Sequence, residues 1–189
     1  MTWSKYRRRQ LLAGCALAVL LTGALIDLPR QLAARAFGSD DTAHAAACLP
    51  GVAVPVMDSP HVSEVEVAAT TYNSTPPTSG PHLSFPQAPG IYDSPISNGL
   101  LVHALEHGHV GVLYAPSTPP DTVSRLRALA KRFAGDVVLA PHPALPSGVA
   151  AVAWGRVDQA DTFDDSRVAR FVEELRNRYD HGWRGPDPC

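Results

Sequence analysis

The sequence predicts an α+β domain in which a small, mainly antiparallel sheet packs with about three helices, preceded by an N-terminal membrane or signal helix. Three observations lead to this class. Short segments rich in β-branched residues predict strands, whereas amphipathic segments flanked by capping residues and glycines predict helices. The two kinds of segment alternate along about 150 residues, which is the length of one domain with one hydrophobic core.

The N-terminal segment has the charge order of an export signal. A basic cluster between Lys5 and Arg9 precedes sixteen uncharged, mostly apolar residues at positions 11–26. A basic region before an apolar region is typical of signal sequences. The apolar stretch is shorter than the roughly 20 residues that cross a hydrocarbon core untilted, so cleavage and anchoring both stay open. We therefore expect residues 1–36 to be a signal peptide or a signal anchor.

Two details of this segment bear on the expected location. Arg8 and Arg9, with two leucines shortly after them, resemble a twin-arginine export signal, although an ordinary arginine-rich n-region explains them equally well. Small-x-small patterns at residues 34–36 and 43–45 are candidate cleavage sites. The sequence thus predicts a single-pass protein of the cell membrane with an extracytoplasmic C-terminal domain, or a secreted protein if the signal is cleaved. The membrane is the expected partner of the N-terminal segment.

The chain beyond residue 36 is acidic. Residues 37–189 carry ten Lys or Arg and seventeen Asp or Glu, a net charge of about −7. Because proteins that bind nucleic acid neutralise phosphates with a basic surface, we expect no nucleic-acid partner. The sequence does not identify a protein partner. We expect residues 37–60 to be a linker or proline-rich lead-in, whose residues 49–60 are either a linker or a covering strand, and residues 61–189 to form the single extracytoplasmic domain.

Two cysteines follow the signal, Cys48 and Cys189, one near each end of the expected domain. In an oxidising compartment such a pair is usually a structural disulfide, which stabilises a fold by roughly 2–4 kcal/mol. The alternatives are free thiols or metal ligands, which the lack of a CxxC pattern disfavours. We expect Cys48 and Cys189 to pair.

The first part of the domain is expected to hold one strand and one long loop. Residues 62–69 alternate in a way that predicts a strand with Val65 and Val67 on its buried face. Eight prolines and glycines between residues 70 and 95 nearly exclude ladder pairing there and predict a loop. A loop of that length inside a compact domain is usually functional.

A helix and a strand follow the loop. Ser97 or Asn98 can cap a helix that runs to His107, where Gly108 supplies the stop. Residues 110–114 then predict a strand with alternating valines.

The remaining elements continue the alternation. Asp121 is expected to cap a second helix that ends at Gly135, and residues 137–140 and 149–154 predict two further strands. A last helix follows Asp164. The apolar stripe of the second helix consists of Leu126, Leu129, Ala130 and Phe133. That of the last helix consists of Val168, Phe171, Val172 and Leu175.

Histidines gather around the first of these helices. His103, Glu106 and His107 form an H-x-x-E-H pattern, and positions four apart lie on one face of a helix, so both imidazoles can reach one point. Imidazole is a ligand of zinc, copper, nickel and iron. His82, at the end of the proline-rich loop, and His109, at the start of the next strand, are the other candidates. We expect metal ligands at His82, His103, His107 and His109.

Two motifs in this region resemble a known family. Residues 72–82 are Y-N-S-T-P-P-T-S-G-P-H and residues 101–108 are L-V-H-A-L-E-H-G. Motifs of this length in this order are similar to an uncharacterised bacterial family, the domain of unknown function 3105, over about residues 48–188. The resemblance implies an N-terminal membrane segment with an extracytoplasmic domain and directs attention to the histidines and glutamate of the motifs. It implies no activity, and the family more often has a small residue at the position of His109.

Metal binding without catalysis is the first of three hypotheses for the histidine set. Copper is favoured and zinc is the alternative ion, in a role in metal handling. The ligand set lacks a thiolate, and the resembled family is associated with copper-handling neighbours, which is an argument by analogy.

The other two hypotheses are a hydrolase and a structural network. H-x-x-E-H is also the inverted zinc-peptidase motif, in which the histidines bind zinc and the glutamate, here Glu106, activates water. The third ligand would then be Glu173 or Glu174 on the last helix, but their position beside its apolar stripe favours solvated surface residues. In the structural hypothesis the chain is an envelope interaction domain, and its histidines and glutamate form a buried hydrogen-bond network. The partners expected in that network are Asn73, Ser74, Thr78 and Ser79. The sequence leans against an enzyme.

Overall fold

The computed structural model describes residues 48–185. The predicted signal helix and Cys189 lie outside the described residues, so the pairing of Cys48 with Cys189 stays a prediction. Within the described range no helix is long and apolar enough to cross a bilayer. The elements in chain order are β1 (Val52–Ala53), α1 (Glu64–Ala69), β2 (Gly90–Ile91), α2 (Asn98–Glu106), β3 (Val110–Tyr114), α3 (Pro120–Arg132), β4 (Val137–Pro141), β5 (Val149–Ala153), β6 (Arg156–Ala160) and α4 (Asp165–Leu175).

The described strands form one mixed sheet in the order β1-β6-β5-β3-β4-β2. Pairing is antiparallel between β1 and β6, β6 and β5, and β5 and β3, and parallel between β3 and β4 and between β4 and β2. Parallel neighbours need a long crossover, which α3 provides between β3 and β4. The predicted α+β class is therefore confirmed. The sheet is mixed, because the crossover through α3 returns the chain to the end of the sheet at which β3 begins.

Helices cover both faces of the sheet. Alternate side chains of β3 point to opposite sides, so that Val112 packs with α3 and α4 while Leu113 packs with Leu101 of α2. Gly111 lies on the same face as Leu113, and a Cβ added there would stand 3.0 Å from Leu101 Cδ1 and 2.7 Å from Val152 Cγ2. Because Gly111 has no side chain, α2 packs close against the sheet. This sets the distance between the sheet and the helix that carries the histidines.

The predicted helix ends are confirmed for α2 and α4. Ser97 caps α2 through its side chain, and Gly108 follows the helix with a φ of 82°. The carboxylate of Asp164 accepts hydrogen bonds from backbone N–H groups in the first turn of α4. Helix α3 is present as predicted, but Asp121 lies in its first turn and the N-cap is Pro119, which makes no side-chain capping bond.

The strand predicted at residues 62–69 is wrong, because this segment contains α1. Ser63 and Glu66 form a reciprocal capping box: the Glu66 carboxylate accepts the Ser63 N–H at 2.8 Å, and the Ser63 hydroxyl accepts the Glu66 N–H. Val67 is buried while Val65 is 79 % exposed, so the two valines do not share a face. The capping box supplies hydrogen bonds to the first turn, and it outweighs the two-residue alternation.

Two strands lie where no strand is predicted. Strand β2 has two residues and falls inside the proline-rich loop, and β6 has the polar sequence Arg-Val-Asp-Gln-Ala. The lead-in contributes β1 to the sheet edge. Arg156 holds this lead-in, because its buried guanidinium donates to the carbonyls of Leu49, Pro50 and Gly51 at 2.7, 3.0 and 3.2 Å.

Candidate metal centre

The Y-N-S-T-P-P-T-S-G-P-H segment carries its final histidine into the interior. The Ser79 hydroxyl accepts the Met57 N–H at 3.0 Å, and the carbonyl of Thr78 accepts the Gly155 N–H at 3.0 Å. Both side chains are fully buried, as is that of His82. The loop is irregular, but these bonds to distant backbone groups give His82 a fixed position.

A parallel bridge places a second histidine beside the first. The Val62 N–H donates to the His82 carbonyl at 2.8 Å, and the His82 N–H donates to the Pro60 carbonyl at 3.1 Å. The exposed imidazole of His61 consequently lies 4.9 Å from the His82 ring, centroid to centroid, and 5.1 Å from the ring of His103. His61 is the solvent-facing member of this group.

Backbone carbonyls orient the two buried imidazoles. His82 Nδ1 donates to the carbonyl of Gly80 at 2.9 Å, and His103 Nδ1 donates to the carbonyl of Leu83 at 2.6 Å. A carbonyl can only accept, so the proton of each neutral ring lies on Nδ1 and the lone pair lies on Nε2. The same arrangement orients metal-binding histidines in known sites, where a carbonyl or carboxylate holds the other ring nitrogen.

One donor atom from each of His61, His82, His103 and Glu106 lies within 4.8 Å of all the others, and such a group can hold a metal ion. His82 Nε2 stands 3.2 Å from Glu106 Oε2 but has no hydrogen-bond partner among the described residues. This distance fits a metal site, because two ligands of a tetrahedral ion bound at about 2.0–2.1 Å are themselves roughly 3.3 Å apart. Glu106 Oε1 accepts the hydroxyl of Ser59 at 3.3 Å. We call these four residues the buried group.

Burial favours the neutral form of His103. The main cause that lowers the pKa of His103 is desolvation, and the positive charge that His82, His107 and His61 can carry lowers it further. The hydrogen bond to Leu83 opposes this shift. A neutral imidazole is the form that binds a metal ion, so the surroundings prepare His103 as a ligand.

His107 lies between the buried group and a second group. Its Nε2 is 2.9 Å from His103 Nε2, and the two rings stack with centroids 4.8 Å apart. On the other side, one donor atom from each of His107, Asp180 and His181 lies within 4.8 Å of the others. We call these three residues the outer group. The two histidines of the H-x-x-E-H pattern are therefore neighbours that belong to different groups.

His109 lies in neither group. Gly108 ends α2 and turns the chain into β3, and the His109 N–H donates back to the carbonyl of Ala104 at 3.0 Å. Burial lowers the pKa of His109, while nearby Asp136 opposes this change. The structure thus brings together His82, His103 and, at the border, His107 of the four expected ligands.

Three members of the groups are absent from the expected set: His61, Asp180 and His181. His61 stands 21 positions before His82 and is brought to it by the parallel bridge. The turn that carries Asp180 and His181 meets α2 from the far end of the chain. No local spacing in the sequence predicts either contact. For the contact between the C-terminal turn and α2, the nearest indication in the sequence is Gly108, against which the turn packs.

Glu173 is exposed and Glu174 pairs with Arg170 at 2.7 Å, which agrees with the surface position predicted for them, and neither belongs to a group of possible metal ligands among the described residues. The predicted hydrogen-bond network is wrong in its partners. The side chains of Asn73, Ser74 and Ser79 bond to backbone groups instead, and the buried imidazoles bond to backbone carbonyls.

Comparison with known proteins gives one match. A family model described as "Protein of unknown function (DUF3105)" matches residues 61–186, a range that includes both groups. This match confirms the family resemblance. No curated protein and no solved structure matches the chain.

Proposed function

Since the chain belongs to the DUF3105 family, whose description assigns no function, we propose its function from the geometry of the buried group: the domain binds a transition-metal ion through His61, His82 and His103. Glu106 is the oxygen donor of the same site. This ligand set of three imidazoles and a carboxylate suits a tetrahedral or tetragonal ion.

The observation that carries the proposal is the contact between His82 Nε2 and Glu106 Oε2. Both atoms present lone pairs when His82 donates its proton to Gly80, and they face each other at 3.2 Å with little exposure to solvent. Two electron-rich atoms so placed need a proton or a cation between them. A metal ion would satisfy this pair and the lone pair of His103 Nε2 together.

We favour copper and keep zinc as the alternative ion. Nitrogen and oxygen donors without a thiolate bind Cu²⁺ more tightly than the other divalent ions of the first transition row, so such a site selects copper wherever copper is available. Zinc fits the same donors at similar distances. The role that follows is metal handling, in which the domain holds an ion for storage or delivery.

We further propose that this takes place outside the cytoplasmic membrane, with the N-terminal segment as tether or export signal. The charge order of residues 1–36 and the acidity of the remaining chain support this placement. Fractionation of cells that express the full chain tests it: the domain should be accessible to protease added to spheroplasts. Substituting Arg8→Lys and Arg9→Lys should block export if the twin-arginine route is used, and protein confined to the cytosolic fraction in the wild type would contradict the placement.

Metal binding is tested by titrating the metal-free full-length chain with Cu²⁺ and with Zn²⁺ against a chelating indicator. The wild type should bind one equivalent of metal ion tightly. The double substitution His82→Ala and His103→Ala should abolish this binding. His142→Ala is the matched control, because His142 is also a buried histidine but belongs to neither group. If the double variant binds like the wild type, or if it changes only the melting temperature while the wild type binds no ion, the histidines are structural and the proposal is wrong.

A zinc-dependent hydrolase is the second candidate, and one observation favours it. The Glu106 carboxylate lies in the same group as two buried imidazoles, which is where a general base for metal-bound water would stand. The zinc-loaded chain would then cleave peptides, and Glu106→Gln would abolish cleavage while zinc stays bound. Absence of peptidase activity across a peptide library leaves the binding function as the better account.

A further inference from the structure

The imidazole of His107 uses its two nitrogens in two directions. Its Nε2 faces His103 Nε2 at 2.9 Å, and its Nδ1 faces Asp180 Oδ1 at 3.6 Å. Neither contact is to a backbone carbonyl, in contrast to His82 and His103. A neutral imidazole placed in this way can bind an ion through one nitrogen while its other nitrogen carries the proton.

The outer group sits on a turn that is fixed against the end of α2. The His181 N–H donates to the carbonyl of Glu106 at 3.3 Å, and Tyr179 and Trp183 form an antiparallel bridge that closes the turn. His181 has a φ of 51°, a left-handed conformation that costs a non-glycine residue about 1 kcal/mol or more. At Gly108 an added Cβ would stand 2.5 Å from the Tyr179 carbonyl oxygen, so the turn approaches α2 as closely as a glycine allows.

The donors of the outer group are two imidazoles and one carboxylate, the set found at sites that hold zinc with one position open. Asp180 divides its oxygens: Oδ2 accepts from Arg184 at 2.7 Å, while Oδ1 faces His107. The side chains of His107, Asp180 and His181 are 37, 40 and 58 % exposed. An ion bound here would exchange with solvent far more readily than one in the buried group.

Glu106 connects the two groups. Its Oε2 lies 3.2 Å from His82 Nε2 in the buried group and 3.6 Å from His181 Nδ1 in the outer group. A carboxylate that lies within reach of both groups can move between two ions or bridge them. His107 also contacts both groups, through His103 on one side and Asp180 on the other.

We propose that the chain carries a second, solvent-facing transition-metal site at His107, Asp180 and His181, adjacent to the buried site and coupled to it through His107 and Glu106. The second ion binds more weakly and exchanges faster than the first. The inference rests on the proposed function, since it adds a neighbouring site to the buried one.

Calorimetric titration of the metal-free full-length chain with Zn²⁺ tests the second site. The wild type should bind two equivalents, one tight and one at least 10-fold weaker. The double substitution Asp180→Asn and His181→Asn should remove the weaker equivalent and leave the affinity of the tight one within about 3-fold. Asparagine tolerates the left-handed conformation at position 181, so the turn keeps its shape. Arg184→Gln is the matched control: it frees the second oxygen of Asp180 and should tighten the weaker event.

The outcomes separate this inference from the proposed function. A wild type that binds one ion, lost in the His82→Ala and His103→Ala variant, overturns the second site while the buried site stands; so does an Asp180 and His181 variant that still binds two ions. A wild type that binds one ion, kept in the His82→Ala and His103→Ala variant but lost in the Asp180 and His181 variant, overturns the buried site and leaves the outer one. A wild type that binds neither Zn²⁺ nor Cu²⁺ overturns both.

Discussion

His82 Nε2 and Glu106 Oε2 face each other at 3.2 Å inside the domain, while the other nitrogen of His82 is occupied by the Gly80 carbonyl. The imidazole lone pair and the carboxylate charge therefore converge where little water can separate them. A proton or a cation between these atoms converts a repulsive contact into an attractive one, and a metal ion would do so by taking both atoms as ligands. This relationship links a loop motif and a helix motif that are separate in the sequence.

Replacing Glu106 by glutamine tests the charge in this contact. The amide preserves the shape of the side chain but removes the negative charge, so the affinity for Zn²⁺ should fall by about 10-fold to 100-fold in competition with a chelating indicator. Glu174→Gln is the control, because Glu174 pairs with Arg170 on the surface of α4. Equal affinities in Glu106→Gln and the wild type would show that the carboxylate does not contact the ion.

Part of the site could be predicted from the sequence because it is local. Four-residue spacing on a capped helix places His103 and His107 on one face, and this holds in the structure. His61 could not be found in this way, since it reaches His82 through a bridge between two segments without regular structure. The same limit applies to His181, which depends on how the end of the chain folds against α2.

The fold shows the same division. Helices with both a cap and an apolar stripe were predictable, as α4 shows with Asp164 and its four buried apolar residues. The alternation at residues 62–69 led to a wrong prediction, because two valines two positions apart favour a strand less than the hydrogen bonds of a capping box stabilise a helix. Strand β6 has a polar sequence, so its place in the sheet follows from pairing with β5 and not from its own residues.

Gly108→Ala should destabilise the domain more than Gly135→Ala. Both glycines have positive φ, 82° and 96°, so each substitution costs about 1 kcal/mol of backbone strain. A Cβ at Gly108 also meets the Tyr179 carbonyl oxygen at 2.5 Å, whereas nothing lies within 4 Å of one at Gly135. Urea unfolding should show an extra loss of at least about 1 kcal/mol for Gly108→Ala. Equal losses would mean that the C-terminal turn does not hold this position.

Arg156→Lys should lower the free energy of unfolding by about 2 kcal/mol or more. Lysine keeps the charge but cannot reach the carbonyls of Leu49, Pro50 and Gly51 together, which leaves buried or partly buried acceptors unsatisfied. Arg167→Lys is the control, since Arg167 is half exposed and its pair with Asp158 contributes about 1 kcal/mol or less. Similar losses in the two variants, measured by chemical denaturation, would contradict the role of Arg156 as the clamp on the lead-in.

His142 makes stability fall in acid. Burial lowers the pKa of His142 below its ordinary value, so the folded domain binds fewer protons here than the unfolded chain, in which histidine titrates near 6.5. As the pH falls below about 6.5, stability should decrease until the folded-state pKa has been passed. His142→Gln removes this titrating group and should make the dependence less steep when measured between pH 8 and pH 5 on metal-free protein, where His103 and His109, whose pKa values are also lowered by burial, still contribute. Identical slopes in wild type and variant would contradict the burial of His142.

X-ray absorption spectroscopy of the full-length chain loaded with one equivalent of Zn²⁺ tests the central claim most directly. The spectrum should show nitrogen and oxygen ligands at about 2.0 Å with the multiple scattering of at least two imidazoles, as expected for an ion held by His61, His82 and His103. The imidazole signal should decrease in the variant that carries His82→Ala and His103→Ala. A spectrum of oxygen ligands without imidazole scattering, unchanged by that substitution, would show that the buried histidines do not bind the ion.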